Sequence, residues 1–166
     1  FPYLAVPFFI MVGSVMNYSG ISEELMNMAE VLAGHMKGGL AQVNCLLSAM
    51  MGGISGSANA DAAMESKILV PAMIKKGFSK EFSAAVTAAS SAVSPVIPPG
   101  TNLILYALIA NVPVGDMFLA GYTPGILMTL SMMITVYIIS KKRGYNPSRE
   151  RMARPSEILR QAIKSI

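Results

Sequence analysis

Charge is scarce in this sequence. Asp, Glu, Lys and Arg make up 13% of its 166 residues, 53% are hydrophobic and the mean hydropathy is +0.52, whereas an average soluble domain carries about 25% charged residues. The deficit excludes an ordinary soluble domain and predicts a membrane protein. Cysteine occurs once, at Cys45 within an apolar run. This excludes a disulfide framework, a cysteine metal set and a Cys/His catalytic pair, and leaves a small buried residue. Histidine also occurs once, at His35 on a charged flank, and "GISGS" misses G-x-S-x-G at its last residue, so an intramembrane hydrolase lacks its nucleophile and base. No G-x-x-x-x-G-K-[ST] is present to cradle a phosphate. No enzyme is expected. A signal peptide has one short apolar core behind a basic start, but here apolar runs recur along the chain. The chain starts at Phe1 with hydropathy already high, so it is expected to begin inside a longer protein.

What charge there is lies in clusters. His35 and Lys37 precede one apolar run, Lys75, Lys76 and Lys80 follow another, and Lys141, Lys142, Arg143, Arg149, Arg151 and Arg154 follow the last; between residues 82 and 140 the one charge is Asp116. Cytoplasmic flanks of membrane segments are enriched in Lys and Arg, so the net charge of +4 reports topology, not nucleic-acid binding. Basic clusters at both sides of residues 40–74 put both ends on the cytoplasmic side. One helix of that length would extend about 50 Å, well past a hydrocarbon core of about 30 Å. The segment must turn back, and arms of residues 40–53 and 60–74, each about 20 Å long, are short for full crossings. A re-entrant helical hairpin over residues 39–76 is the economical reading, with its tip in "GGISGSANADAAMES". Two complete spans are the alternative, but the second would hold Glu65 and Lys67 without a long apolar core.

The other segments fit that orientation. Residues 1–19 read as all or part of a transmembrane helix. Residues 20–38 read as an interfacial amphipathic helix, with Ser22 as cap, Glu23 and Glu24 in the first turn, and Ile21, Leu25, Met28 and Leu32 at helical spacing. Ser79 caps a helix through "EFSAAVTAASSAV" that meets "SPVIPPG". There Pro95, Pro98 and Pro99 remove three donors and disfavour helical geometry at Ser94 and Ile97. A second half-helix starts near Thr101, which makes residues 79–112 one discontinuous transmembrane helix. After an outer turn at "NVPVGD", residues 116–141 form a full span. Residues 142–166 are a cytoplasmic basic linker and an amphipathic arm helix carrying Ile158, Leu159, Ala162, Ile163 and Ile166 on one stripe. The fold class is all-α integral membrane. Non-helical backbone at membrane depth persists only against protein or a water-filled cavity, and paired discontinuous helices mark ion-coupled secondary transporters.

The tip supplies Ser55, Ser57 and Asn59 as hard oxygen donors, while Gly52, Gly53 and Gly56 let carbonyls turn inward. Close helix packing is the competing use of these glycines, since Gly52 and Gly56 fit G-x-x-x-G. Asp61 and Glu65 share a helical face. Asp61 serves either an ion site or the helix dipole, and Glu65 and Lys67 are expected to be structural, in water or paired. Thr101 and Asn102 open a half-helix whose amides suit a substrate carboxylate. A channel lined by broken helices and a purely structural membrane subunit are the other classes to separate.

The strings "PFFIMVGSVMNYSGI", "HMKGGLAQVNCLLSAMMGGISGSANADAA" and "LVPAMIKKGFSKEFSAAVTAASSAVSPVIPPGTNLILYALIANVPVGDMFLAGYTPG", closed by "SKKRGY", span nearly the whole chain. In them the chain resembles the large membrane subunit of tripartite ATP-independent periplasmic (TRAP) transporters, the DctM-like permease family. That family often has Ser where this chain has Gly100. The resemblance implies an elevator transporter of two inverted repeats in the bacterial or archaeal inner membrane, with this chain covering most of the first. It also implies a sodium gradient as driving force, no cofactor beyond Na+ as coupling ion, a small DctQ-like membrane subunit, and a soluble DctP-like periplasmic binding protein. The cargo would be an organic acid such as a dicarboxylate or a sialic-acid-like carboxylate. The alternative is a channel, or a sodium-coupled anion transporter without a binding protein. Expected sodium positions are Ser55, Gly56, Ser57, Asn59, Asp61, Ser94, Val96, Pro98 and Gly100; expected substrate positions are Ser57, Ala58, Gly100, Thr101 and Asn102.

Overall fold

The computed structural model describes residues 11, 15, 21–153, 157 and 158. Apart from residues 11 and 15, the expected span at residues 1–19 lies outside the described set, as do the Ser22 side chain and residues 154–156 and 159–166 of the tail. Every regular element among the described residues is helical: α1 (Ile21–Ala33), α2 (Gly39–Ser55), α3 (Ala58–Lys75), α4 (Lys80–Ser91), α5 (Thr101–Ala110) and α6 (Val114–Arg143).

Helix α2 is the central element and packs against α1, α3, α4 and α6. One side of it buries Val43, Leu47 and Met51 with Ala29 and Ala33 of α1 and Leu69 of α3. Its other side buries Leu40, Ala41 and Cys45 with Met73 of α3, Phe82 and Val86 of α4, and Val136 of α6. Cys45 is a free, buried thiol. Helix α1 carries Glu23 and Glu24 in its first turn, where the positive end of the helix dipole favours them.

Helices α2 and α3 form a hairpin. Their lengths of 17 and 18 residues correspond to about 26 Å each, longer than the arms read from composition. The gain is mostly at the tip: α2 continues through residues 54 and 55, α3 already includes residues 58 and 59, and the break shrinks to Gly56 and Ser57. Gly56 closes α2 in the left-handed region with φ of 56°, a conformation that costs a side chain and suits glycine. Ser57 opens α3, its Oγ accepting the Ala60 N–H at 3.4 Å.

The two open ends of the hairpin meet the C-terminal end of α6. The Gly38 N–H donates to the Tyr145 carbonyl at 3.3 Å, and Lys76 Nζ donates to the Ser148 carbonyl at 3.4 Å. Helix α4 starts there too: the Ser79 N–H donates to Tyr145 Oη at 3.2 Å. The Tyr145 ring sits 4.3 Å from Phe78 and 5.3 Å from Phe82, with the Arg143 guanidinium 5.6 Å over the Phe82 ring. Lys141, Lys142 and Arg143 occupy the last turn of α6, where the dipole favours cations.

Among the described residues α6 is the one helix long and apolar enough to cross a membrane. It presents Leu119, Tyr122, Ile126, Leu130, Ile134 and Tyr137 outward and buries Gly121, Gly125, Thr129, Val136 and Ser140. Helix α4 stops at Ser91 and α5 begins at Thr101, with turns between them. The interruption falls on the proline-rich stretch, where Pro95, Pro98 and Pro99 have no N–H to continue the helical ladder.

Candidate functional site

The hairpin tip is seated on the proline loop, backbone against backbone. A Cβ added at Gly52 would lie 2.8 Å from the Ser94 carbonyl oxygen and 3.1 Å from Ile97 Cβ; at Gly53 it would lie 3.2 Å from the Pro98 oxygen. At Gly56 it would lie 3.2 Å from Thr101 N and 3.6 Å from the Pro99 oxygen. Helix α6 closes the third side, with a Cβ at Gly121 falling 2.9 Å from the Val96 oxygen and Gly125 lying under the Ile97 side chain. These α6 glycines are about 10–17 Å from the start of their helix and about 27–33 Å from its end. The tip therefore lies within the length of α6.

Two helix N-termini converge at this junction. Helix α3 starts beyond Ser57, α5 starts beyond Gly100, and Gly56 bridges them by its approach to Thr101. Gly100 gives α5 no side-chain cap, so the first amides of α5 are left for other acceptors.

The candidate residues divide. Ser55 Oγ donates to Asp61 Oδ1 at 2.6 Å and accepts the Ser57 N–H at 3.3 Å. Asp61 is buried, and its Oδ2 has no hydrogen-bond partner among the described residues. Ser94 is buried and its Oγ donates to the Ser48 carbonyl at 3.0 Å. Pro98 and Gly100 are buried, and Val96, Ala58 and Thr101 half-buried. The Gly100 carbonyl accepts the Leu103 and Ile104 N–H groups at 3.1 and 3.2 Å and so is occupied within α5. Asn59 and Asn102 are exposed, outside the cluster formed by the others. Gly52 and Gly53 do not open the tip; they remove side-chain bulk so that the proline loop can approach α2.

A buried polar ladder runs back from the junction, through residues that composition alone did not single out. Ser48 Oγ donates to Glu65 Oε1 at 2.7 Å. Ser90 Oγ donates to Asn44 Oδ1 at 2.6 Å, and Asn44 Nδ2 donates to Thr87 Oγ1 at 2.9 Å. Glu65 is fully buried and accepts from Ser48, which corrects its expected place in water; Lys67 is exposed. The available signal was polar residues at helical spacing inside apolar runs, Asn44 and Ser48 on α2 and Thr87, Ser90 and Ser94 on and after α4.

Hydroxyls, carbonyls and one unpaired carboxylate oxygen make an all-oxygen donor set, the kind a hard cation takes. No group of three or more His, Cys, Asp and Glu able to hold a metal ion occurs among the described residues.

The family described as "Tripartite ATP-independent periplasmic transporter, DctM component" matches residues 1–166. The chain is 43% identical over 145 residues to the sialic acid TRAP transporter permease protein SiaT of Haemophilus influenzae, covering 87% of this chain and 24% of that protein. It is 39% identical over 166 residues to the sialic acid TRAP transporter large permease protein SiaM of Vibrio cholerae, covering 100% and 38%. It is 31% identical over 138 residues to the C4-dicarboxylate TRAP transporter large permease protein DctM of Pseudomonas aeruginosa, covering 83% and 32%. It thus spans a quarter to under two-fifths of the length of these relatives, which are named as transporter permeases and not as enzymes. The match over its whole length establishes that the chain belongs to the DctM component family of tripartite ATP-independent periplasmic transporters.

Proposed function

We propose that this chain forms one half of the core of a sodium-coupled permease that imports organic-acid anions, and that α2 and α3 enter the membrane from the cytoplasmic side as a re-entrant hairpin. The observation that carries this reading is the junction itself, where a two-residue tip and a proline-broken helix meet part-way along α6 with two helix N-termini side by side. Carbonyls released from helical pairing, with Ser55, Ser57 and Asp61, serve the sodium ion. The uncapped start of α5 serves the substrate carboxylate. Sodium at the tip offsets negative charge beside the anion, so each ligand favours the other. Names of relatives that carry sialic acid or a C4-dicarboxylate support an organic acid as cargo. The word "large" in those names, and "periplasmic" in the family's, support a small membrane subunit and a soluble binding protein as partners. Motion of this half against the second repeat is the elevator step.

Orientation follows from Lys37, Lys75, Lys76, Lys80 and the cluster Lys141 to Arg143, which the fold gathers at one end. With Cys45 replaced by Ala in the complete transporter, single cysteines at Lys37 and Lys76 are expected to react with an impermeant reagent from the cytoplasmic side only. Labelling of the two from opposite sides excludes the re-entrant hairpin. Uptake into liposomes holding the complete complex tests the activity, with sodium gradient, potential and binding protein varied independently. Flux indifferent to sodium would indicate a channel instead.

A further inference from the structure

An amide is a costly residue in the middle of a packed apolar helix. Asn44 is 0% exposed, with Val43, Cys45, Leu46 and Leu47 around it in the sequence of α2, and an apolar side chain of its size would be buried there with no polar atoms to satisfy. Both polar atoms of Asn44 cross to α4. Nδ2 donates to Thr87 Oγ1 at 2.9 Å, and Oδ1 accepts from Ser90 Oγ at 2.6 Å. Thr87 and Ser90 are three apart and share one face of α4, so the amide spans one turn of it.

One turn further along both segments, Ser94 Oγ donates to the Ser48 carbonyl at 3.0 Å. Another turn along α2 stands Gly52, against the Ser94 backbone. Asn44, Ser48 and Gly52 are thus successive steps of four on one face of α2, and the series ends where the proline loop meets the tip. The rest of this contact has little to fix it lengthwise. From residue 83 to residue 90, α4 carries only Ser, Ala, Val and Thr, short side chains that let helices approach closely and leave shallow ridges. A slip of α4 by one turn, about 5.4 Å, breaks the bonds at Asn44 and Ser48 and carries the Ser94 backbone off Gly52.

We propose that Asn44 is a positioning residue: it sets the axial register of α4 on α2 and thereby seats the proline loop on the hairpin tip. A buried amide in that role gives up stability for a single register. Its bearing on transport rests on the junction being the binding site, and the test separates the two.

A double-mutant cycle of Asn44→Leu and Gly52→Ala in the purified complete transporter, read by thermal unfolding, is that test. Leucine keeps the bulk and strands no hydroxyl, because Ser90 Oγ already reaches the Thr87 carbonyl at 3.1 Å and a helical threonine can donate to the carbonyl one turn back. The Cβ of Gly52→Ala falls 2.8 Å from the Ser94 oxygen, so this substitution costs stability only while Ser94 is held there. Residues 44 and 52 are about 12 Å apart along α2, beyond the roughly 7–10 Å within which substitutions couple directly. Coupling between them has to pass through α4. Gly52→Ala is expected to lower Tm less than half as much in the Asn44→Leu background as in the wild type. Equal lowering in the two backgrounds overturns the proposal. Should Asn44→Leu fail to assemble, Ser90→Ala takes its place in the cycle with the same two outcomes. A sodium titration of uptake by Asn44→Leu then reports on the junction, and the concentration for half-maximal uptake is expected to rise severalfold. A coupled cycle with an unmoved sodium curve upholds the register and contradicts the sodium site.

Discussion

Gly52→Val in the complete transporter is expected to reduce uptake by more than about tenfold while the complex still reaches the membrane. The first carbon of the new side chain would fall 2.8 Å from the Ser94 carbonyl oxygen and 3.0 Å from Ser94 Cα. Both are backbone atoms of a loop already held by the Ser94 hydroxyl on the Ser48 carbonyl, so neither can swing aside as a flexible side chain would. Overpacking of this kind costs about 1–3 kcal/mol, and about 1.4 kcal/mol is tenfold in an equilibrium. The cost is relieved by lifting the tip off the proline loop, which separates the two groups of oxygens assigned to sodium. Gly115→Val is the matched control, because a Cβ at Gly115 meets nothing within 4 Å. Thermal unfolding and uptake, compared across the two variants, check the expectation; equal uptake by both would mean that the close approach is not needed for transport.

Asp61→Asn is expected to raise the sodium concentration for half-maximal uptake by about tenfold or more, with the maximal rate largely preserved. Asparagine keeps the shape and can still accept the Ser55 hydroxyl, which lies 2.6 Å from Asp61 Oδ1, but it removes the negative charge. A hydrogen-bond-scale interaction with a charged group contributes about 1.5–3 kcal/mol, and a cation ligand of unit charge is of at least that class, which sets the tenfold floor. Ser57→Ala is expected to shift the sodium curve less and also to weaken the start of α3, since Ser57 Oγ caps it. Asn59→Ala, at an exposed position, is expected to shift it least. A sodium titration of uptake with the potential clamped compares the three, and an Asp61→Asn curve that overlays wild type removes Asp61 from the ion site.

The ease with which these features could be read from sequence follows the range over which their causes act. The break between α4 and α5 was legible because Pro95, Pro98 and Pro99 delete backbone donors wherever they stand. The turn at the tip was legible because residues 40–74, basic at both ends, are too long for one crossing; Gly56 and Ser57 make it as left-handed closer and cap. Gly52 and Gly53 were read as letting carbonyls turn inward, with close packing as the competing use, and the structure favours the packing. Glycine permits a turn and a close approach equally well, and the loop that makes the approach lies about forty residues away in the chain. Asn44, Ser48 and Ser90 were not singled out: they are polar groups in apolar runs, but their partners are 17 to 46 positions distant, so pairing could not be assigned before the helices were packed. Glu65 and Lys67 were expected to be structural, in water or paired, because the pattern of one segment does not show how deeply each face of α3 lies in the bundle. On a helix those two positions diverge, and one is buried while the other is exposed.

The central claim is that one junction, the tip on the proline loop, binds sodium and the substrate anion as linked ligands. Equilibrium substrate binding to the purified complete transporter, repeated across a series of sodium concentrations, tests it most directly. Linkage requires that sodium raise substrate affinity by the same factor by which substrate raises sodium affinity. The expected result is a substrate Kd that falls by about tenfold or more between sodium-free and saturating conditions, and that falls much less in Asp61→Asn. A substrate Kd independent of sodium in the wild type would contradict a shared site at the junction.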